Sequence, residues 1–129
     1  ETMRELPDDA ELLEAVGGFL REEVVSRLDG RPAFLARVAA NAVDILRRER
    51  ELGPAAEAAA RARLETLLGR TGTLEALNET LCEAIAAGEL TLDTPGLAEH
   101  LWASTLDRLA IDQPRYSGYL RAREQRGTR

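Results

Sequence analysis

Glycine and proline cut this chain into stretches whose apolar residues recur every three or four positions, a pattern that suits helices and excludes alternating strands. All five prolines stand where a helix should begin or a turn should sit. Pro7 precedes Asp8 and Asp9, which can cap a first helix over about residues 8–28, closed by Asp29 and Gly30. Pro32 occupies the first turn of a second helix, about 32–52, ended by Gly53. Pro54 opens a third, to about residue 68 before Gly69. Thr73 caps a fourth, to about residue 87 before Gly88, and Thr94 with Pro95 opens a fifth, to about residue 111. Pro114 ends it, because the residue before a proline is pushed out of the helical region. Residues 119–125 can add one or two further helical turns.

Each stretch carries an apolar stripe. Leu12, Leu13, Val16, Phe19, Leu20 and Val24 line the first, and Phe34, Leu35, Val38, Ala42, Ile45 and Leu46 the second. The third has an alanine-rich face with Leu64 and Leu67, the fourth offers Leu74, Leu77, Leu81 and Ile85, and the fifth Leu97, Leu101, Trp102 and Leu109. The Gly17-Gly18 pair inside the first helix marks a kink or a close crossing. Only five residues are aromatic, so the core must be built from Leu, Val, Ile and Ala, and Ala and Leu are also strong helix formers. The expected fold is all-α: an antiparallel bundle of five main helices with a C-terminal turn segment folded back on it. Its expected layout is a flexible stretch over 1–7, one helical domain over 8–120 and a basic tail over 121–129.

The chemistry available is narrow. All 17 basic residues are arginines, with one histidine, His100, and one cysteine, Cys82. A Walker-type phosphate loop or a Schiff base needs a lysine, and a structural zinc site needs about four Cys or His ligands. No catalytic residue, metal site or cofactor is therefore assigned. His100 and Ser104 stand four apart with Asp107 nearby, but neighbours on one helix rarely give the geometry of a nucleophile, base and orienting acid. Cys82 falls on the apolar side of its helix and reads as an inert core residue. A net charge of -6 argues against nucleic-acid binding, which depends on clustered cations. No apolar run reaches the ~20 residues of a membrane span, so the expected setting is the cytoplasm.

Polar residues inside the stripes are the functional pointers. Asn41 shares a face with Phe34, Val38 and Ile45, and Asn78 lies between Leu74, Leu81 and Cys82, so both amides are expected to be at least partly buried. Glu23 has Arg27 four residues on, and Arg108 is placed similarly on the last helix. Either these groups pair with one another and set helix register, or Glu23, Arg27, Arg37, Asn41, Asn78 and Arg108 line a polar cleft. The stretch Asp112-Gln113-Pro114-Arg115-Tyr116-Ser117-Gly118-Tyr119 is too polar for core and too aromatic for a plain linker. It is expected to fold back on the bundle, with Asp112 accepting hydrogen bonds, both tyrosine rings docked, and Arg115 and Tyr116 at the rim of the seam.

The stretch Ala36-Arg37-Val38-Ala39-Ala40-Asn41-Ala42, with Glu51-Leu52-Gly53-Pro54, Leu77-Asn78, Gly88-Glu89-Leu90 and the ending Ile111-Asp112-Gln113-Pro114-Arg115-Tyr116-Ser117-Gly118-Tyr119, resembles, over about Leu12 to Leu120, a family of small all-helical bacterial proteins without assigned activity. Members of that family are encoded beside, or fused to, aminoglycoside-phosphotransferase-like kinases and near acyl-CoA dehydrogenases. They often carry a lysine before the Leu-Ala-Ile-Asp run and an asparagine before the proline, where this chain has Arg108 and Gln113. The resemblance implies an accessory or regulatory domain for a phosphotransferase-like kinase or an acyl-CoA-metabolising enzyme. A small-ligand or acyl-CoA-binding helical module is the alternative, and an enzyme working with acids and arginines is the third reading. Self-association is compatible with all three.

Overall fold

A computed structural model describes residues 6–127, so residues 1–5 of the expected N-terminal stretch and the last two residues of the expected tail lie outside it. The fold is all-α, with no strand among the described residues. Five α-helices follow in order: α1 Asp9–Phe19, α2 Gly30–Leu68, α3 Leu74–Ala86, α4 Leu97–Asp112 and α5 Ser117–Gly127. The chain divides into two compact units, Glu1–Leu52 and Gly53–Arg129, with the division inside α2.

In the first unit, Asp8 caps α1 by accepting from the Glu11 backbone N–H at 2.8 Å. Past Gly17 and Gly18 the helix changes geometry, through a π-helical turn at Leu20–Val24 and a 3-10 turn at Val25–Arg27. Gly17 is also a close crossing: a Cβ there would lie 3.5 Å from Asp44 Oδ1 and 3.6 Å from Val43 Cγ1. Ion pairs of Asp9 with Arg50 and of Arg21 with Asp44 set α1 antiparallel to this part of α2. The Arg21 guanidinium, hydrogen-bonded to Asp44, holds that carboxyl below the usual carboxylate range. Here α2 buries its small side chains, Ala33, Ala36 and Ala40, and leaves Phe34, Leu35, Val38 and Leu46 about half exposed.

The second unit holds the leucine core. Leu64 of α2, Leu77 and Leu81 of α3 and Leu97 of α4 form one buried cluster, with Leu68, Leu74 and Leu90 packed against it. Thr73 caps α3 by accepting from the Ala76 N–H at 3.1 Å. Gly88, at φ +75°, ends the same helix, and the Glu89 N–H turns back to the Ala84 carbonyl at 2.9 Å. After the turn at Gln113–Tyr116, α5 includes residues 121–127 of what composition marked as a tail, and buries Ala122.

The expected break at Gly53-Pro54 is absent, and α2 runs through it. Proline opposes the helical conformation of its predecessor through that residue's N–H and Cβ, and Gly53 lacks the Cβ, which removes that part of the clash. The alanine-rich sequence after Pro54 then favours continuing the helix over stopping it. The helix count remains five because the C-terminal segment forms a helix of 11 residues. No described helix is long and apolar enough to cross a membrane.

Candidate functional site

None of the nine side chains singled out from the sequence is buried. Glu23, Arg27, Arg37 and Asn41 belong to the first unit, and Asn78, Arg108, Asp112, Arg115 and Tyr116 to the second. Glu23 and Arg27 form an exposed i,i+4 pair at 3.1 Å. Asn41 accepts from Arg21 Nη2 at 3.1 Å, and Arg37 is exposed. Both asparagines were expected to be at least partly buried; both are exposed. For Asn41 the reason is the choice of face, since the alanine side of α2 packs inward and the side with the larger residues stays outside. Asn78 is exposed because α3 turns Leu77, Leu81 and Ala84 inward, and position 78 lies about 100° from 77 on a helix.

Arg108 donates to Asp112 through Nε at 2.7 Å and also through Nη2, a two-point pair along α4. Of the two tyrosines expected to dock, Tyr119 is half-buried and Tyr116 is exposed. The Tyr116 ring instead lies over Gly118, where a Cβ would come within 2.7 Å of it. Arg115 is exposed.

Cys82, expected in the core, is also exposed, since it shares the outward side of α3 with Asn78. It lines an open groove of about 750 Å³ together with Leu74, Asn78 and the carboxylates of Glu57, Glu75, Glu79 and Glu83. Its thiol is expected to react in the native protein with one equivalent of a neutral thiol reagent at a rate within about tenfold of a free peptide thiol. Protection by a hundredfold or more would contradict the exposure.

Among the described residues the most buried polar side chain is His100, 3% exposed on α4. Its Nδ1 accepts from Arg63 Nε at 2.9 Å, while Arg63 Nη2 donates to Ser104 Oγ at 3.3 Å. Arg63 comes from α2, so one guanidinium ties α2 to α4 across two acceptors a turn apart. Burial, with the adjacent Arg63 charge, holds His100 below the ordinary histidine value. The imidazole is therefore neutral at pH 7 and its Nδ1 lone pair is engaged, which leaves that nitrogen unable to take a proton from Ser104. Arg63 was not among the sequence candidates. The available signal was the spacing itself: His100 and Ser104, one turn apart on a helix, present two acceptors at the separation of a guanidinium fork.

A lowered folded pKa means that the unfolded chain binds the His100 proton first, so stability is full above pH ~6.5 and falls as pH drops below it. His100 is the chain's single histidine, so urea unfolding between pH 7.5 and 5.5 should show this loss, and His100→Gln should flatten it. An unchanged slope in the variant would refute the assignment.

Among the described residues, no three His, Cys, Asp or Glu side chains come together as a metal-holding group. No curated protein and no solved structure matches the chain. The family described as Domain of unknown function (DUF6285) matches residues 26–116, a span that takes in all of α2, α3 and α4 and leaves out α1 and α5, and the chain belongs to that family.

Proposed function

We propose that this chain is a non-catalytic interaction domain that docks on a partner enzyme, the phosphotransferase-like kinase or acyl-CoA-metabolising enzyme that its resemblance implies. The observation that carries the reading is the placement of its large apolar side chains. Phe19 is 59% exposed, Phe34 57% and Leu46 56%, while the same unit buries alanines and a glycine. Isolated exposed leucines are ordinary on a surface, but half-exposed phenylalanines with leucine and valine neighbours mark surface that another molecule covers. The chemistry supports the same reading, because the buried histidine is engaged with an arginine and not with a nucleophile.

Calorimetric titration of the partner enzyme into the chain tests it. Binding at micromolar concentration is expected, and Phe19→Glu, an exposed substitution that should leave helicity unchanged, is expected to weaken it at least tenfold. No heat with either enzyme class at about 100 μM would sink the proposal.

The α3 groove favours a second reading, a ligand-binding module, and its chemistry restricts the ligand. Four carboxylates among its lining residues repel the phosphates of a coenzyme A ester and suit a cationic or neutral amphipathic molecule. Thermal shift with an acyl-CoA against a long-chain amine separates the two cases.

A further inference from the structure

We infer that Arg63, held between His100 and Ser104, is a binding site for a carboxylate, the acid group of a small singly charged ligand. The three residues belong to the second unit, whereas the interaction-domain reading stands on apolar side chains of the first. A guanidinium cannot shed its proton in a protein, so once it is drawn out of bulk water its charge calls for an opposite one. Exposed arginines of this chain meet acids: Arg27 pairs with Glu23, Arg50 with Asp9 and Arg61 with Glu65. Arg63 is half-buried and, among the described residues, has no carboxylate partner. Both of its acceptors are neutral. The His100 nitrogen that accepts from it carries no proton, which leaves the imidazole uncharged, and Ser104 offers a hydroxyl. Two neutral partners thus orient the guanidinium and leave its charge uncompensated.

The atoms already engaged show which edge stays open. Nε and Nη2 form the side edge of the guanidinium, and they donate to His100 Nδ1 at 2.9 Å and to Ser104 Oγ at 3.3 Å. The end edge, Nη1 with the second proton of Nη2, has no acceptor among the described residues. Nη1 is also within reach of solvent, because every fully buried side-chain nitrogen and oxygen among the described residues has a hydrogen-bond partner and Nη1 has none. A carboxylate matches that edge in plane and spacing, its two oxygens taking two parallel N–H donors. His100, 3% exposed, fixes the fork before a ligand arrives, which lowers the cost of ordering it on binding. Charge selects a carboxylate over a phosphate monoester, which carries close to two negative charges. The arginines nearest along the two helices, Arg61 and Arg108, already pair with Glu65 and Asp112, so a single positive charge faces the ligand and a single negative one balances it.

Titration of the full chain with sodium acetate at neutral pH, followed through the nuclear magnetic resonance signals of the single histidine, tests the site. A saturable shift of the His100 ring signals is expected with a midpoint on the order of 10 mM, since so small a ligand has few atoms to bind with. Sodium chloride at matched ionic strength should leave the signals in place, and sodium phosphate should bind more weakly than acetate. Arg63→Lys, which keeps the charge and loses the two-point fork, should weaken acetate at least tenfold with unchanged far-UV circular dichroism. A wild-type shift that rises in proportion to salt without saturating, or that chloride reproduces, overturns the site whatever the variant does. Phosphate binding as tight as acetate overturns the carboxylate assignment, and a folded Arg63→Lys protein with the wild-type midpoint overturns the role of the fork. Titration of the partner enzyme separates a free acid from an acidic side chain: its affinity should be the same for Arg63→Lys as for the wild type. A tenfold loss there would assign the carboxylate to the partner and overturn the small ligand.

Discussion

Leu64→Ala is expected to remove about 3 to 5 kcal/mol of stability, the range for deleting a fully buried leucine whose surroundings cannot collapse into the space. Leu64 is 0% exposed and stands among Leu77, Leu81 and Leu97, which come from two other helices. A helix pair can close over a cavity by sliding together, but three helices meeting at one point share it and cannot all move. Against a total stability of about 5 to 15 kcal/mol for a domain of this size, the loss takes from about a fifth of that stability to nearly all of it. Urea unfolding followed by circular dichroism measures it. Leu92→Ala, at a leucine that is 78% exposed, is the control and should change stability by less than about 0.5 kcal/mol. A Leu64→Ala loss below about 1 kcal/mol would mean that the leucine cluster is not the core.

The second large effect has the opposite sign. Pro54 lies inside α2, where a proline costs about 3 kcal/mol relative to alanine because it lacks the N–H that would bond the carbonyl four residues back, here Arg50. Pro54→Ala is therefore expected to stabilise the protein by about 2 to 3 kcal/mol and to slow hydrogen exchange around residues 54–58. The sign discriminates between two structures. If the chain broke at Gly53 and restarted at Pro54, the proline would occupy a favourable first-turn position, and alanine there would be neutral or slightly destabilising through the added freedom of the unfolded chain. A destabilised Pro54→Ala protein would thus restore the broken helix that the Gly-Pro dipeptide suggests.

Local signals were legible where a single turn of chain decides the outcome. Asp8 and Thr73 cap the helices that follow them because their side-chain oxygens reach the backbone N–H groups three residues on, and nothing distant is needed for that bond. Gly17-Gly18 was legible as an irregularity for the same reason: two residues without side chains let the helix change pitch and let a neighbour approach. The all-α class followed from periodicity, and the core leucines Leu64, Leu77, Leu81 and Leu97 each lay on a recognisable stripe. The Gly53-Pro54 step was misleading because its two residues pull in opposite directions. Proline punctuates, while the glycine before it removes the Cβ part of the clash with the preceding residue.

Amino-acid order by itself determined the caps of α1 and α3, which residues can line the apolar faces, and that lysine-based chemistry and a Cys/His structural zinc site cannot be built from one copy of the chain. Tertiary structure decided which face of each helix turns inward. Along α2 both the alanine stripe and the Phe34, Val38 and Ile45 stripe have helical period, and periodicity cannot rank them. The α1 crossing at Gly17 requires close approach, which alanines permit and phenylalanine forbids, so the smaller face is buried and the larger one, with Asn41, remains outside. The same holds for Cys82 and Asn78, one step around α3 from the leucines that entered the core. Arg63 joined His100 and Ser104 only because two helices far apart in sequence came together, and a bond of that range depends on packing that no local pattern encodes.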